Sequence, residues 1–149
     1  MEKSKNIVLK SAESMNQTVE RSAEETYAEI ANSYGNYFDN NPKEIFWQNA
    51  CQQFSEIMKR RLEEKGRGSN YLKVNIRSIV PNGKPHIILL SGDYLIDGTW
   101  QQFLDKPRAD HHCLILNINS LEHDLEKASV PRKLWFVYGA HLIARAKAA

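Results

Sequence analysis

Cys51, His86 and Asp97 are the residues of this chain whose types could carry out covalent chemistry together: a thiol, an imidazole and a carboxylate. A thiolate attacks carbonyl carbon, an imidazole beside it holds and moves the proton, and a carboxylate behind the ring fixes its tautomer and stabilises its charged form. The three are far apart in sequence, so the elements that carry them must bring them together.

Two of them sit in one hairpin. The stretch PHIILLSGDYLIDGTWQQF, 85–103, reads as two apolar strands joined at Ser91-Gly92-Asp93-Tyr94, with glycine at the first central position of a two-residue turn, the type II′ signature. That turn fixes a register. Ser91 opposes Tyr94, Leu90 opposes Leu95, Leu89 opposes Ile96, Ile88 opposes Asp97 and His86 opposes Thr99. Side chains alternate with period two, so His86 and Asp97 share a face and lie diagonally within reach. A three-residue turn would put Asp97 on the other face. A buried carboxylate needs a partner, and His86 is the nearest candidate. The pair also has a plain structural use, each group satisfying the other at a sheet rim.

The third element is the segment WQNACQQFSEIMKRRL, in which helical spacing places Cys51 with Phe54, Met58 and Leu62 on the stripe that packs on the sheet. A thiol on that stripe is expected to reach the histidine. The plain alternative is a cysteine serving as a small hydrophobe, which is how Cys113, ahead of LILN, reads. Asn41-Pro42-Lys43-Glu44 looks like a helix start. A break between Ile45 and Cys51, with Asn49 or Gln48 near the cap of a second helix, would give the thiol the helix N-terminus that activation favours.

Around these lie an amphipathic helix over 11–34, marked by Met15, Val19, Ala23, Tyr27, Ile30 and Tyr34, and a half-buried strand in YLKVNIRSI. A short helical turn follows Trp100. CLILN reads as a strand, NSLEHDLEKA as a helix with Asn119 and Glu122 at capping-box spacing, and KLWFVYG as a last strand. This is an α+β pattern: N-terminal helices, including the cysteine-bearing core helix, on a mostly antiparallel sheet, in one domain spanning 1–149.

Composition fits that class, because 42% hydrophobic and 26% charged residues are the proportions of a globular domain. A net charge of +2 is too close to neutral to argue for a general nucleic-acid or membrane binder, and no apolar run is long enough to span a bilayer. The basic run KRRLEEKGRG is interrupted by Glu63 and Glu64 and reads as a solvated helix end. His111-His112-Cys113 lacks metal-ligand spacing, and G-R-G-S at 66–69 lies in the wrong order for a phosphate loop. No cofactor or metal is expected, and two cysteines without motif spacing do not make a disulfide framework.

The order of a cysteine at the start of a core helix, a strand, a histidine opening a strand, and an aspartate closing the next strand in YLIDGTW resembles the papain-like and transglutaminase-like cysteine hydrolase superfamily over 48–103. The resemblance implies Cys51 as nucleophile, His86 as base and Asp97 as the orienting acid, with Gln48 as the oxyanion-hole candidate and Gln102 as a weaker one. Bacterial members include toxins and effectors that deamidate or cleave host proteins, and small peptidases. It therefore implies a cysteine-dependent amidohydrolase acting on a protein or peptide, by glutamine deamidation or peptide-bond cleavage, without a cofactor. The setting would be cytoplasmic, or a host cell if the protein is a secreted effector. An inactive papain-like fold used as a protein-binding module, and an RNA- or partner-binding domain using the basic run, are the rival readings. Neither nucleic acid nor membrane is expected as a partner, and the sequence does not set the oligomeric state.

Overall fold

The structure is a computed structural model that describes residues 2–33, 51–81, 83–104 and 113–139, with the backbone alone for 2–15 and 33. It contains α1 (Glu2–Ser33), α2 (described from Cys51 to Glu64), β1 (Asn70–Val74), β2 (His86–Ser91), β3 (Tyr94–Asp97), β4 (Leu114–Asn117) and α3 (Leu121–Lys127). The strands form one antiparallel four-stranded sheet in the order β1-β2-β3-β4. This is the α+β class.

The hairpin has the register its turn dictates: Ser91 pairs with Tyr94, Leu90 with Leu95 and Leu89 with Ile96. Gly92 takes a positive φ of 56°, and Asp93 is not among the positive-φ residues, which is the type II′ pattern. β1 stops at Val74, opposite His86, although apolar alternation continues to Ile76. β2 begins at His86, directly after Pro85, which has no N–H to donate, so the ladder has no partner strand beyond that pair.

Alternation gives the sheet two apolar faces. On one, Val74, Ile88, Leu95, Leu114 and Leu116 pack with Trp100, Phe103, Leu125, Leu134, Val137 and Tyr138. On the other, Leu89 and Ile96 pack beneath Phe54, Met58 and Leu62 of α2 and Val19, Ala23 and Ile30 of α1. The sequence 134–139 is helical rather than a strand: a 3-10 turn, Arg132–Leu134, leads into helix 135–139. Leu134, Val137 and Tyr138 are spaced by three and four residues, so a helix puts all of them on the core while a strand would split them between faces. The capping box expected at Asn119 and Glu122 is replaced by a 3-10 turn, Ile118–Ser120, with Asn117 accepting the Asn119 N–H at 2.9 Å.

The basic run is not a free solvated end. Arg60 bonds Glu29 at 2.7 Å, Arg61 bonds Glu25 at 2.8 Å and Glu29 at 2.7 Å, and Lys65 bonds Ser22 at 2.7 Å. These contacts form the polar seam between α1 and α2. Ion pairs of this exposure contribute roughly 0–1 kcal/mol each, so they fix alignment while the apolar stripe supplies most of the stability.

One glycine is demanded by packing. A Cβ on Gly98 would lie 2.4 Å from the Phe54 ring, which is itself buried and tilted at 43° against Tyr27 with centroids 5.0 Å apart, while the Tyr27 hydroxyl donates to the Gly98 carbonyl at 2.6 Å. Gly98→Ala is therefore expected to lower stability by about 1–3 kcal/mol. Gly68→Ala, with nothing within 4 Å of its Cβ, should stay within about 0.5 kcal/mol. Denaturation midpoints check this, and equal stabilities for the two variants would contradict it.

Candidate functional site

His86 opens β2 and Asp97 closes β3, and the antiparallel register puts both at the same end of the sheet and on the same face. Both are about 2% exposed. His86 Nε2 lies 2.7 Å from Asp97 Oδ2. The Phe103 ring stands edge-on to the imidazole, with centroids 4.9 Å apart, and limits its rotation.

Asp97 has three donors. Besides the imidazole, the Thr99 backbone N–H donates to Oδ1 at 3.1 Å, closing an Asx turn, and the Tyr138 hydroxyl donates to Oδ2 at 2.9 Å. Burial and the Asp97 charge hold the Tyr138 phenol well above its ordinary pKa, so it stays a neutral donor. Sequence reading missed Tyr138 because the KLWFVYG run was assigned to a strand; the i, i+3, i+4 spacing of Leu134, Val137 and Tyr138 is the signal that finds it.

Cys51 reaches this pair by an unexpected route. The Phe54, Met58 and Leu62 stripe packs on the sheet face opposite His86, so the thiol does not cross a face to the imidazole. It lines one cleft with His86 and Ile87 at the sheet end where β2 begins, and interaction with the His86 ring and the Ile87 backbone N–H favours its thiolate. Nε2 is held by Asp97, which leaves Nδ1 as the other ring nitrogen.

The charges follow from these contacts. Burial pushes the Cys51 thiol up, but the His86 hydrogen bond, the Ile87 N–H and the imidazolium charge outweigh it and bring the thiol below its ordinary 9.0. Burial pushes His86 down, and the Asp97 charge and hydrogen bond, with the Cys51 thiolate, lift it to about 9. Each group figures among the causes of the other's shift, so Cys51 and His86 titrate together. Because the His86 value lies above its ordinary 6.5, its contribution to stability is full below pH 6.5 and is lost as pH rises through about 9.

Cys113 contrasts with this. It lies on the opposite face beside Tyr27, and burial followed by the Asp97 charge raises its thiol well above 9.0. Gln102 lines the same cleft as Cys51 and His86, with Nε2 3.5 Å from His86 Nδ1 and 3.0 Å from the Thr99 carbonyl. Gln48, Asn49 and the break expected between Ile45 and Cys51 fall outside the described residues, as do His111 and His112. Among the described residues no group of three or more His, Cys, Asp or Glu is placed to hold a metal, and no helix is long and apolar enough to cross a membrane.

In comparison with known proteins, no family model, no curated protein and no solved structure matches the chain.

Removing one donor tests the Asp97 cradle. Tyr138→Phe keeps the ring and is expected to cost about 1.5–3 kcal/mol, the range for a hydrogen bond to a charged group. With one donor fewer, the carboxylate acts more strongly on His86, so the imidazolium titration should move upward from about 9. NMR titration of the ring reads this, and an unmoved or lowered value would contradict it.

Proposed function

We propose that this chain is a cysteine-dependent amidohydrolase with a papain-like or transglutaminase-like core, acting on a carboxamide or peptide bond of a protein or peptide. The observation that carries the reading is the buried His86–Asp97 hydrogen bond of 2.7 Å with Cys51 lining the same cleft as His86, which lowers its thiol pKa. A structural His–Asp pair has no need of a thiol at its other edge.

In the proposed reaction the Cys51 thiolate adds to the carbonyl carbon, and the electron pair of the C=O bond moves to oxygen. When the tetrahedral intermediate collapses, the C–N bond breaks and the His86 imidazolium gives its proton to the departing nitrogen, as ammonia from a glutamine side chain or as an amine from a peptide bond. The neutral imidazole then takes a proton from water, the resulting hydroxide attacks the thioester, and the thiolate leaves to re-form the ion pair. Asp97 stabilises the imidazolium throughout without itself accepting a proton. Gln102, with its amide on the cleft, is a candidate side-chain donor to the oxyanion.

Incubation with candidate peptides followed by mass spectrometry tests the proposal directly. A small mass gain in an intact peptide reports deamidation, and new termini report cleavage. Cys51→Ala should reduce either activity by about a thousandfold or more, and a Cys51→Ala variant as active as the parent would overturn the reading. The pH profile should be bell-shaped. Its acidic limb should lie below the ordinary thiol value of 9.0, where the thiolate forms, and its alkaline limb near 9, where His86 loses its proton.

A further inference from the structure

The cleft beside Cys51 is uneven in charge. It has a volume of about 420 Å³, with Ile76, Val80 and Phe103 as apolar wall and Gln52 and Gln102 as neutral polar lining. Among the described residues, Lys84 is the charged lining residue besides His86 and Cys51. It is exposed, and among the described residues no ion pair holds it, in contrast to Arg60, Arg61 and Lys65, which are matched to carboxylates of α1.

The sequence reinforces the imbalance. The segment 65–92, which supplies the wall from Ile76 to Ile87, contains Lys65, Arg67, Lys73, Arg77 and Lys84 and no Asp or Glu. Two carboxylates next to lining residues are turned to other uses. Asp97 lies behind His86 and is occupied by His86, Thr99 and Tyr138. Glu56 is one helical turn beyond Gln52 and accepts its amide at 3.1 Å. Cys51 and His86 offset each other there, so Lys84 leaves the described lining positive, and with an apolar wall that lowers the local dielectric such a site concentrates anionic ligands and speeds their arrival.

Building on the thiol reading above, we infer that the substrate is an acidic peptide segment, with a carboxylate beside the reacting carbonyl placed against Lys84 and its apolar portion against Ile76 and Val80. The carboxylate recovers a charge-assisted hydrogen bond in place of water, and the preference weakens as salt screens the pair.

Alkylation of Cys51 tests this without a known substrate. The thiolate displaces iodide from iodoacetate, which is anionic, or from iodoacetamide, which is neutral and of similar size. The readout is the ratio of the two rate constants at Cys51, divided by the same ratio for free N-acetylcysteine. The expected value at low ionic strength is at least about threefold, falling toward unity with added salt. Lys84→Gln should lower the ratio by a similar factor and Lys84→Glu should carry it below unity. In competition, a Glu-rich peptide should protect Cys51 from iodoacetamide and a Lys-rich peptide of equal length should not. A ratio matching free thiol, a raised ratio that both Lys84 variants leave in place, or equal protection by the two peptides would overturn the inference while leaving the thiol reading intact. Cys51 reacting no faster than Cys113 with either reagent would instead overturn the thiol reading, and the inference with it.

Discussion

A carboxylate held inside the sheet is the constraint on which the rest of this structure depends. Asp97 is about 2% exposed, and an ion there is tolerated only because the Thr99 N–H, the Tyr138 hydroxyl and the His86 ring surround it. Removing one partner from such a buried set typically costs about 3–5 kcal/mol, because it leaves the remaining polar groups buried and uncompensated. What Asp97 supplies is a His86 proton retained to about pH 9 and a ring held in one orientation against Phe103.

From that point the architecture explains how a thiol on one side of a sheet meets an imidazole on the other. α1 and α2 cover one face, locked by the Val19, Ala23, Ile30, Phe54, Met58 and Leu62 stripe. α3 and the 132–139 segment cover the other face, which brings Tyr138 to Asp97. The two layers communicate at the sheet end, where β2 begins and β3 stops. There Gly98 leaves room for the Phe54 ring, and Tyr27 ties α1 to the Gly98 carbonyl. A side chain at residue 98 would push against α2 one turn away from Cys51, so that glycine also sets the depth at which the thiol sits.

The hairpin was legible from sequence because two independent signals agree there: a two-residue turn beginning with glycine and a short apolar run on either side of it. Those signals place His86 and Asp97 on one face without any tertiary information. The position of Cys51 was only half legible. Helical spacing identifies the stripe it belongs to, but periodicity does not say which sheet face a helix covers, and α2 covers the face away from His86. Tyr138 was hidden for another reason. A short apolar run such as LWFVY fits either period over a few residues, and the wrong choice turns a core helix into a strand. The polar seam was missed because Glu25 and Glu29 lie on another helix, so no local pattern links them to Arg60 and Arg61.

The central claim is that His86 draws the Cys51 thiol below its ordinary range into a thiolate–imidazolium pair, and ultraviolet absorbance of the thiolate near 240 nm measures it directly. The difference between the parent protein and Cys51→Ser, followed across pH, isolates Cys51 from the tyrosines and from Cys113. The account predicts a thiolate signal with a midpoint below the ordinary 9.0, and a midpoint moved upward in His86→Gln. A signal that rises only above pH 9, or a midpoint that His86→Gln leaves in place, would contradict the account.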